Sequence, residues 1–419
     1  MKRIRKPLTI KEKISFFKNH SNNGKVGVRV YLDYAAATPL DPRVFKAMKP
    51  FLETQFGNPS SIHNEGVRAK EAITVARKNV AKMLQAHEDE IIFTSGGTEG
   101  NNLAILGLAL RQERKGTSFS KMHFITTVIE HPSVKDVFGE LERRGASVSY
   151  IPVDAEGLVK PQELKKALRK ETVLVSVMYA NSEIGTIQPI SEIAKMIRNF
   201  RKTHNSKFPL VHTDASQAPL YLDVNVERLG ADLMTFDGHK IYGPKGVGAL
   251  FKKRNVSIQP LFYGGGQEGG LRPGTENVPG IVGFAEALKY ATEERKYESA
   301  RITKLRDYFI KKVLSEIPNA ILNGDQIKRL PNNVNISFLG IDNEWLVLQL
   351  DARGIAVGTG SACLSQKENT SYVVAALGGD KKRASSSVRF TLGKDTSQKD
   401  LDYTITILQK VLDRNMQLV

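Results

Sequence analysis

The chain has 419 residues, 41% of them hydrophobic and 25% charged: a water-soluble composition, too long for one ordinary domain and without the unbroken apolar run a membrane helix needs. Its formal net charge of +17 is unevenly spread, because residues 1–30 hold nine Lys/Arg against one acid, Glu12, and carry nearly half the excess. A single cysteine, Cys363, excludes an internal disulfide and any zinc site of paired cysteines, and it suits a reducing compartment.

Residues 1–30 read as a basic extension, either a solvated arm or helix, or an arm that touches an acidic partner or RNA. They lack the apolar stretch of a secretory signal, and Glu12 with its many lysines fits an organelle transit peptide poorly, so cytoplasmic residence is expected. No glycine-aromatic RNA-recognition motif or His/Cys finger occurs, so direct nucleic-acid binding is not expected. Tyr31–Leu40 reads as an N-terminal strand or crossing segment that packs with the C-terminal part.

Through the middle of the chain, short apolar runs alternate with longer amphipathic stretches, the pattern of a parallel sheet covered by helices. Predicted strands are Ile91–Thr94, His123–Val128, Ser147–Pro152, Val173–Met178, Pro209–His212, Leu233–Phe236 and Val247–Phe251; predicted helices include Gly66–Gln85, Gln162–Lys170 and Ile190–Thr203. From about residue 297 the pattern changes to a charged helix (Thr303–Glu316), a strand (Asn333–Phe338), a helix (Glu344–Arg353), the Cys363 loop, a strand (Ser387–Leu392) and a helix from Asp400. The fold class is therefore α/β: a mainly parallel seven-stranded sheet in a large domain, 43–296, plus a smaller α+β domain formed by 31–42 and 297–419.

Polar and glycine-rich punctuation follows five of the strands: Gly96-Gly97-Thr98, Glu130-His131, Asn181, Asp214 and His239-Lys240. In open parallel sheets ligands bind at the carboxyl ends of the strands, so these segments predict one pocket. The Gly97–Thr98 turn offers backbone N–H groups at a helix start, suited to an anion such as phosphate, although a capped helix reads the same way. Asp214, leaving a buried strand, needs a partner for its charge or serves as a helix cap, with Gln217 in capping-box register. Lys240, fixed by the Gly243-Pro244 turn, is placed as a nucleophile. A carboxylate for a ring nitrogen, a Schiff-base lysine and polar groups for a ring oxygen and phosphate are what a pyridoxal 5'-phosphate site requires.

The ordered set Tyr31-Leu-Asp-Tyr-Ala-Ala-Ala-Thr-Pro39, Phe56-Gly-Asn-Pro-Ser60, Phe93-Thr-Ser-Gly-Gly-Thr-Glu99, Glu130-His131, Asn181-Ser-Glu-Ile-Gly185, Asp214-Ala-Ser-Gln217, Gly238-His-Lys-Ile-Tyr-Gly-Pro-Lys-Gly246, Arg272-Pro-Gly-Thr275, Gly360-Ser-Ala-Cys363 and Val388-Arg-Phe-Thr-Leu-Gly393 resembles the cysteine desulfurases, pyridoxal-phosphate enzymes of the class V aminotransferase fold, fold type I. The resemblance runs from residue 31 to about 415. It implies that Lys240 holds the cofactor as a Schiff base and moves the substrate α-proton, and that His131 stacks on the ring and shuttles protons. Asp214 would pair with the ring nitrogen and Gln217 with the ring oxygen; Gly97, Thr98 and His239 would hold the phosphate. Thr275 would reach the phosphate of a neighbouring subunit in a homodimer. Asn181 and Arg389 would hold the substrate carboxylate, with Asn181 also beside the cofactor.

On the same resemblance Cys363 is the nucleophile that takes sulfur from L-cysteine as a persulfide, releasing L-alanine, and passes it to an acceptor protein for iron-sulfur cluster assembly or tRNA thiolation. Arg389 lies 26 positions after Cys363, as in the long-loop branch of the family. Selenocysteine lyase activity, or a non-catalytic partner-binding scaffold of the same fold, are the other readings. One position departs from the pattern. Asp237 stands where relatives often have a small hydroxyl residue near the phosphate, and its charge opposes a dianion. It is therefore expected to point away or to have a basic neighbour, and Asp237→Ser is expected to keep or tighten cofactor binding.

Overall fold

The computed structural model describes residues 29–360, 370–378 and 380–416. Twelve strands occur among them, in chain order β1 (Val30–Tyr31), β2 (Ile91–Thr94), β3 (His123–Thr127), β4 (Ser147–Ile151), β5 (Thr172–Ser176), β6 (Leu210–Asp214), β7 (Leu233–Asp237), β8 (Gly248–Lys252), β9 (Ala320–Leu322), β10 (Asn333–Phe338), β11 (Ile355–Ala356) and β12 (Ser387–Thr391). Seven of them form one sheet in the order β2-β8-β7-β6-β5-β3-β4, and within it only β8 runs against its neighbours.

Side chains alternate across this sheet, so adjacent residues enter opposite cores. Phe93, Ile125, Val175, Val211 and Met234 face one layer of helices, while Ile92, Phe124, Leu174, Leu210 and Leu233 face the other. Being covered on both faces, these strands read as continuous apolar runs. The Ile190–Thr203 helix shows the matching pattern, burying Ile190, Ile193, Ala194 and Ile197 along one stripe.

A second core gathers Phe309, Val334, Ile336, Phe338, Phe390, Leu401 and Leu408 around the antiparallel sheet β12-β10-β9. β1 pairs in parallel with β11, so the start of the described chain is tied to this second core. The predicted helix Thr303–Glu316 is the last part of one 39-residue helix, Val278–Glu316. Its first half, through Phe284 and Leu288, packs on the large sheet, and its second half, through Ile302 and Phe309, packs on the small one. The charge cluster around Glu293–Lys296, where the pattern changes, lies between these two contacts without breaking the helix, because no proline or glycine interrupts it there. Among the described residues no helix is long and apolar enough to cross a membrane.

Candidate active site

The parallel strands bring the turns after β2, β3, β6 and β7 to one sheet edge. After β7 a short 3-10 turn, Gly238–Lys240, carries the lysine. Its Nζ donates to the carbonyls of Ala35 and Ala36, each at 2.7 Å, and Gln217 Nε2 donates to the same Ala35 carbonyl at 3.0 Å. Lys240 and Gln217, 23 positions apart in sequence, thus meet at the backbone of the crossing segment. That segment is anchored by Thr38, whose N–H and hydroxyl both donate to the His239 carbonyl, at 2.9 and 2.8 Å.

Asp214 ends β6, and its two oxygens are separately engaged. Oδ1 accepts from the Ser216 N–H at 2.9 Å and Oδ2 from Asn101 Nδ2 at 2.7 Å. Asn101 is fully buried on the helix Gly97–Arg114 and donates also to Ser133 Oγ, which bonds His131 Nδ1 at 2.8 Å. A chain of polar contacts therefore joins the carboxylate to the imidazole, and nothing in the sequence marked Asn101 or Ser133 as members. Burial lowers the His131 pKa, with the Asp214 carboxylate opposing that fall, so the ring is biased towards its neutral form. Behind Asp214, His212 is completely buried between Ser176 and Thr235 and is driven by burial to about 4. Glu130, fully buried beside His131, is raised by burial to about 8; one of its oxygens accepts from Thr127 Oγ1 and Met178 N while the other has no partner.

The predicted phosphate cradle forms at the start of the Gly97–Arg114 helix, where Gly97 is buried and Thr98 exposed. A Cβ on Gly97 would come within 3.0 Å of Ser216 Oγ, itself buried without a hydrogen-bond partner. A space that a methyl group would fill, lined by helix N–H groups and an unpartnered hydroxyl, fits a phosphate. Asp237 does not point away from it. Its Oδ2 accepts the Gly97 N–H at 2.8 Å, and its Oδ1 lies 2.5 Å from His239 Nδ1. A basic neighbour does compensate, but that neighbour and that N–H are two of the groups expected to hold the phosphate. Burial tends to raise the Asp237 carboxyl, but the His239 pair, the Gly97 N–H and Lys240 outweigh it and hold it below its ordinary value.

Arg389 on β12 is nearly fully buried. Its Nη2 pairs with Asp33 Oδ1 at 2.8 Å, its Nη1 donates to the Ser182 carbonyl at 3.2 Å, and its Nε is buried without a partner. Gly358 crosses directly over it, paired backbone to backbone with Arg389. Asn181 is placed at this edge, but its amide is engaged in the turn that follows. Nδ2 donates to the Ile129 carbonyl at 3.0 Å, and Oδ1 accepts from Glu183 N at 2.8 Å and Ile184 N at 2.9 Å. Gly360, at a positive φ of 91°, leaves no room for a side chain against Glu183, whose carboxylate would lie 2.9 Å from a Cβ. Cys363 lies outside the described residues. Thr275 is exposed on the loop before the long helix, and this loop is fixed at its other end by the half-buried Arg77–Glu268 pair at 2.6 Å.

The aminotransferase class-V family model matches residues 30–404. The cysteine desulfurase IscS of Dictyoglomus turgidum is 48% identical over 385 residues, which cover 92% of this chain and 95% of that protein. A solved NifS-like protein superposes with a TM-score of 0.85 at 36% identity, over 92% of this chain and 100% of the other. The structure of SspA in complex with cysteine matches with a TM-score of 0.74 at 35% identity, over 87% of this chain and 99% of that one. With the lysine, carboxylate and imidazole gathered on one edge of a fold type I sheet, the chain belongs to the class-V aminotransferase family and, within it, to the cysteine desulfurases.

Proposed function

We propose that this chain uses pyridoxal 5'-phosphate to convert L-cysteine to L-alanine, with the sulfur carried as a persulfide on Cys363 and passed to an acceptor for iron-sulfur cluster assembly or tRNA thiolation. The observation that carries the reading is the convergence of Lys240, Gln217, Asp214 and His131 at the carboxyl ends of parallel strands. When bound, the cofactor supplies an electron sink that loosens bonds at the substrate's α and β carbons.

The chain's own groups divide the remaining work. Asp214, oriented by Asn101 and the Ser216 N–H, presents a carboxylate for a ring N–H, which is why the two fixed donors matter. Lys240, aimed by two carbonyls, holds or moves a proton at Nζ. His131, kept towards neutral by burial, offers a flat ring and a nitrogen able to take a proton. The Arg389 guanidinium, with its buried unpartnered Nε, is suited to a substrate carboxylate. The Cys363 thiolate attacks the substrate sulfur; the S–S bond forms as the C–S bond breaks, and the electron pair returns to the substrate carbon, which is protonated.

A homodimer is proposed on the same basis. Phe56, Ile62 and Tyr263 are 77%, 99% and 79% exposed, apolar surface that a second copy would cover, and Thr275 stands outward on its tethered loop. The test is direct. Purified protein incubated with L-cysteine, with and without reductant, is expected to release alanine and to gain one sulfur atom on Cys363 by mass, the gain disappearing with reductant and in Cys363→Ala. Visible absorbance from bound cofactor is expected to vanish in Lys240→Ala. Protein that stays colourless with added cofactor would defeat the proposal, and alanine without bound sulfur would replace it with a lyase.

A further inference from the structure

We propose that Asp237 is a built-in anion of the phosphate cradle, and that the cofactor phosphate docks there only together with a proton. The inference rests on the pyridoxal-phosphate reading of this site. The geometry is specific: one carboxylate takes the Gly97 N–H at 2.8 Å and the His239 N–H at 3.2 Å, and stands 2.5 Å from the His239 ring. Asp237 is only 8% exposed, so water screens little of its charge. The hydroxyl that could share the load, Ser216 Oγ, sits beside Gly97 with no partner of its own. A phosphate ester near neutral pH carries close to two negative charges and seeks these same donors. Carboxylate and dianion compete for one set of N–H groups.

The charged and titratable groups around Asp237 come from each packed element. His239 and Lys240 lie on its own turn, His131 and Asp214 come from the turns after β3 and β6, and the Glu99–Arg272 pair closes the helix start, where Glu99 accepts from Ser95 N. Lys240 and the His239 ring already favour the ionised Asp237 carboxylate, so a dianion docking there adds its charge to one that is already present. Without phosphate the pair with His239 keeps Asp237 ionised; phosphate at close range raises the affinity of the group for a proton. A proton is therefore taken up on binding, and binding strengthens as pH falls. The proton belongs to the Asp237–His239–phosphate group as a whole.

The experiment titrates cofactor-free protein with pyridoxal 5'-phosphate and, separately, with pyridoxal, which has the aldehyde and ring but no phosphate. Absorbance is read between about pH 6 and 8, where phosphate esters and imidazoles titrate. Proton loss from Lys240 is common to both aldehydes and cancels in their comparison. For wild type, the phosphate-bearing form is expected to lose affinity relative to pyridoxal by up to about tenfold per pH unit, the signature of one coupled proton. In Asp237→Ser and Asp237→Asn that extra slope is expected to vanish. Affinity for the phosphate form at the upper pH should rise by about tenfold or more, with pyridoxal unchanged. The Asn variant retains the oxygen that caps the turn, so it guards against a folding artefact. Parallel slopes in all three proteins, or weaker phosphate-form binding in both variants, would overturn the inference while leaving the cofactor reading intact. No uptake of either aldehyde by any form would overturn both.

Discussion

Gly358→Ala tests whether the Arg389 guanidinium is held in place by the strand that crosses it. The backbone at 358 has no positive φ and would accept any residue; what it lacks is space. A Cβ there would lie 2.9 Å from Arg389 Nη2, 2.9 Å from Asp33 Oδ1 and 3.3 Å from Arg389 Nε. Real Cβ atoms essentially never approach so closely, so the pair between Nη2 and Asp33, at 2.8 Å, must give way or the strand must lift. Overpacking of this kind costs about 1–3 kcal/mol, and outright loss of a buried ion pair about 3–5 kcal/mol. If the strain is met by turning the guanidinium, about 1–3 kcal/mol of lost carboxylate binding corresponds to roughly 5- to 150-fold in kcat/KM for L-cysteine. The assay measures kcat/KM together with cofactor absorbance and the unfolding midpoint. Absorbance is expected to be unchanged, because Lys240, Asp214 and His131 are untouched. A variant with kcat/KM within about twofold of wild type and the same midpoint would refute the reasoning, since the overlap would then have no energetic consequence.

Asn101→Ala removes the donor to Asp214 Oδ2 and to Ser133 Oγ from a fully buried position, and is expected to cost about 1–3 kcal/mol in denaturant unfolding and to speed cofactor loss on dialysis. An unchanged midpoint with full cofactor retention would show that the link is idle. Glu130 has its folded pKa raised to about 8, so its contribution is intact below the ordinary carboxyl value and is lost as pH rises towards 8. Wild-type stability is therefore expected to fall over that window, by up to about 1.4 kcal/mol per pH unit, and Glu130→Gln to flatten the profile; identical profiles would remove Glu130 as the cause. Glu268→Gln removes the charge from the half-buried pair with Arg77 and is expected to destabilise by about 1–3 kcal/mol and to loosen the loop that carries Thr275, read as a lower unfolding midpoint and faster proteolysis between 262 and 277. Protease resistance equal to wild type would mean that the loop is fixed by other contacts.

The central strands were legible because burial on both faces leaves no polar alternation: β2 spans the predicted Ile91–Thr94, and β7 and β8 differ from prediction by a residue at their ends. The edge that collects Lys240, Asp214 and His131 was legible for the same reason, since turn chemistry follows strand ends in a parallel sheet. The two-residue pairing of β1 with β11 was not, because so short a strand has no period to detect. Nor was the continuity of Val278–Glu316, where a run of charges mimics a boundary although the helix merely changes the core it covers. Backbone acceptors such as the Ala35 and Ala36 carbonyls carry no residue-type signal at all. For Asp237 the sign of the charge could be read from sequence, but the direction of the carboxylate depends on how β7 meets the Gly97 turn.

The segment from Val30 to Asp41 bears on every part of the proposed chemistry, although it supplies few side chains to it. Its first residues join the small core through Val30 N to Gly354 O and Leu32 N to Ala356 O, both at 2.8 Å. Asp33 then holds Arg389, the Ala35 and Ala36 carbonyls hold Lys240 and Gln217, and Thr38 is locked to the His239 carbonyl on the large sheet. Guanidinium and lysine sit on different cores, so their separation would otherwise depend on how those cores pack. Routing one short stretch between them, closed into a turn in which the Asp33 carbonyl accepts the Ala36 N–H at 3.0 Å, replaces that dependence with a few covalently spaced residues. The same carbonyl accepts from Ala37 N at 3.4 Å, so the turn itself holds Asp33 and Ala36 at a fixed separation. A substrate whose carboxylate is held at one end and whose α-amino group is worked on at the other needs that kind of fixed span. It also accounts for the short, apolar and alanine-rich sequence Tyr34-Ala-Ala-Ala-Thr38: small side chains let the carbonyls approach the amine, where larger ones would hold the segment off.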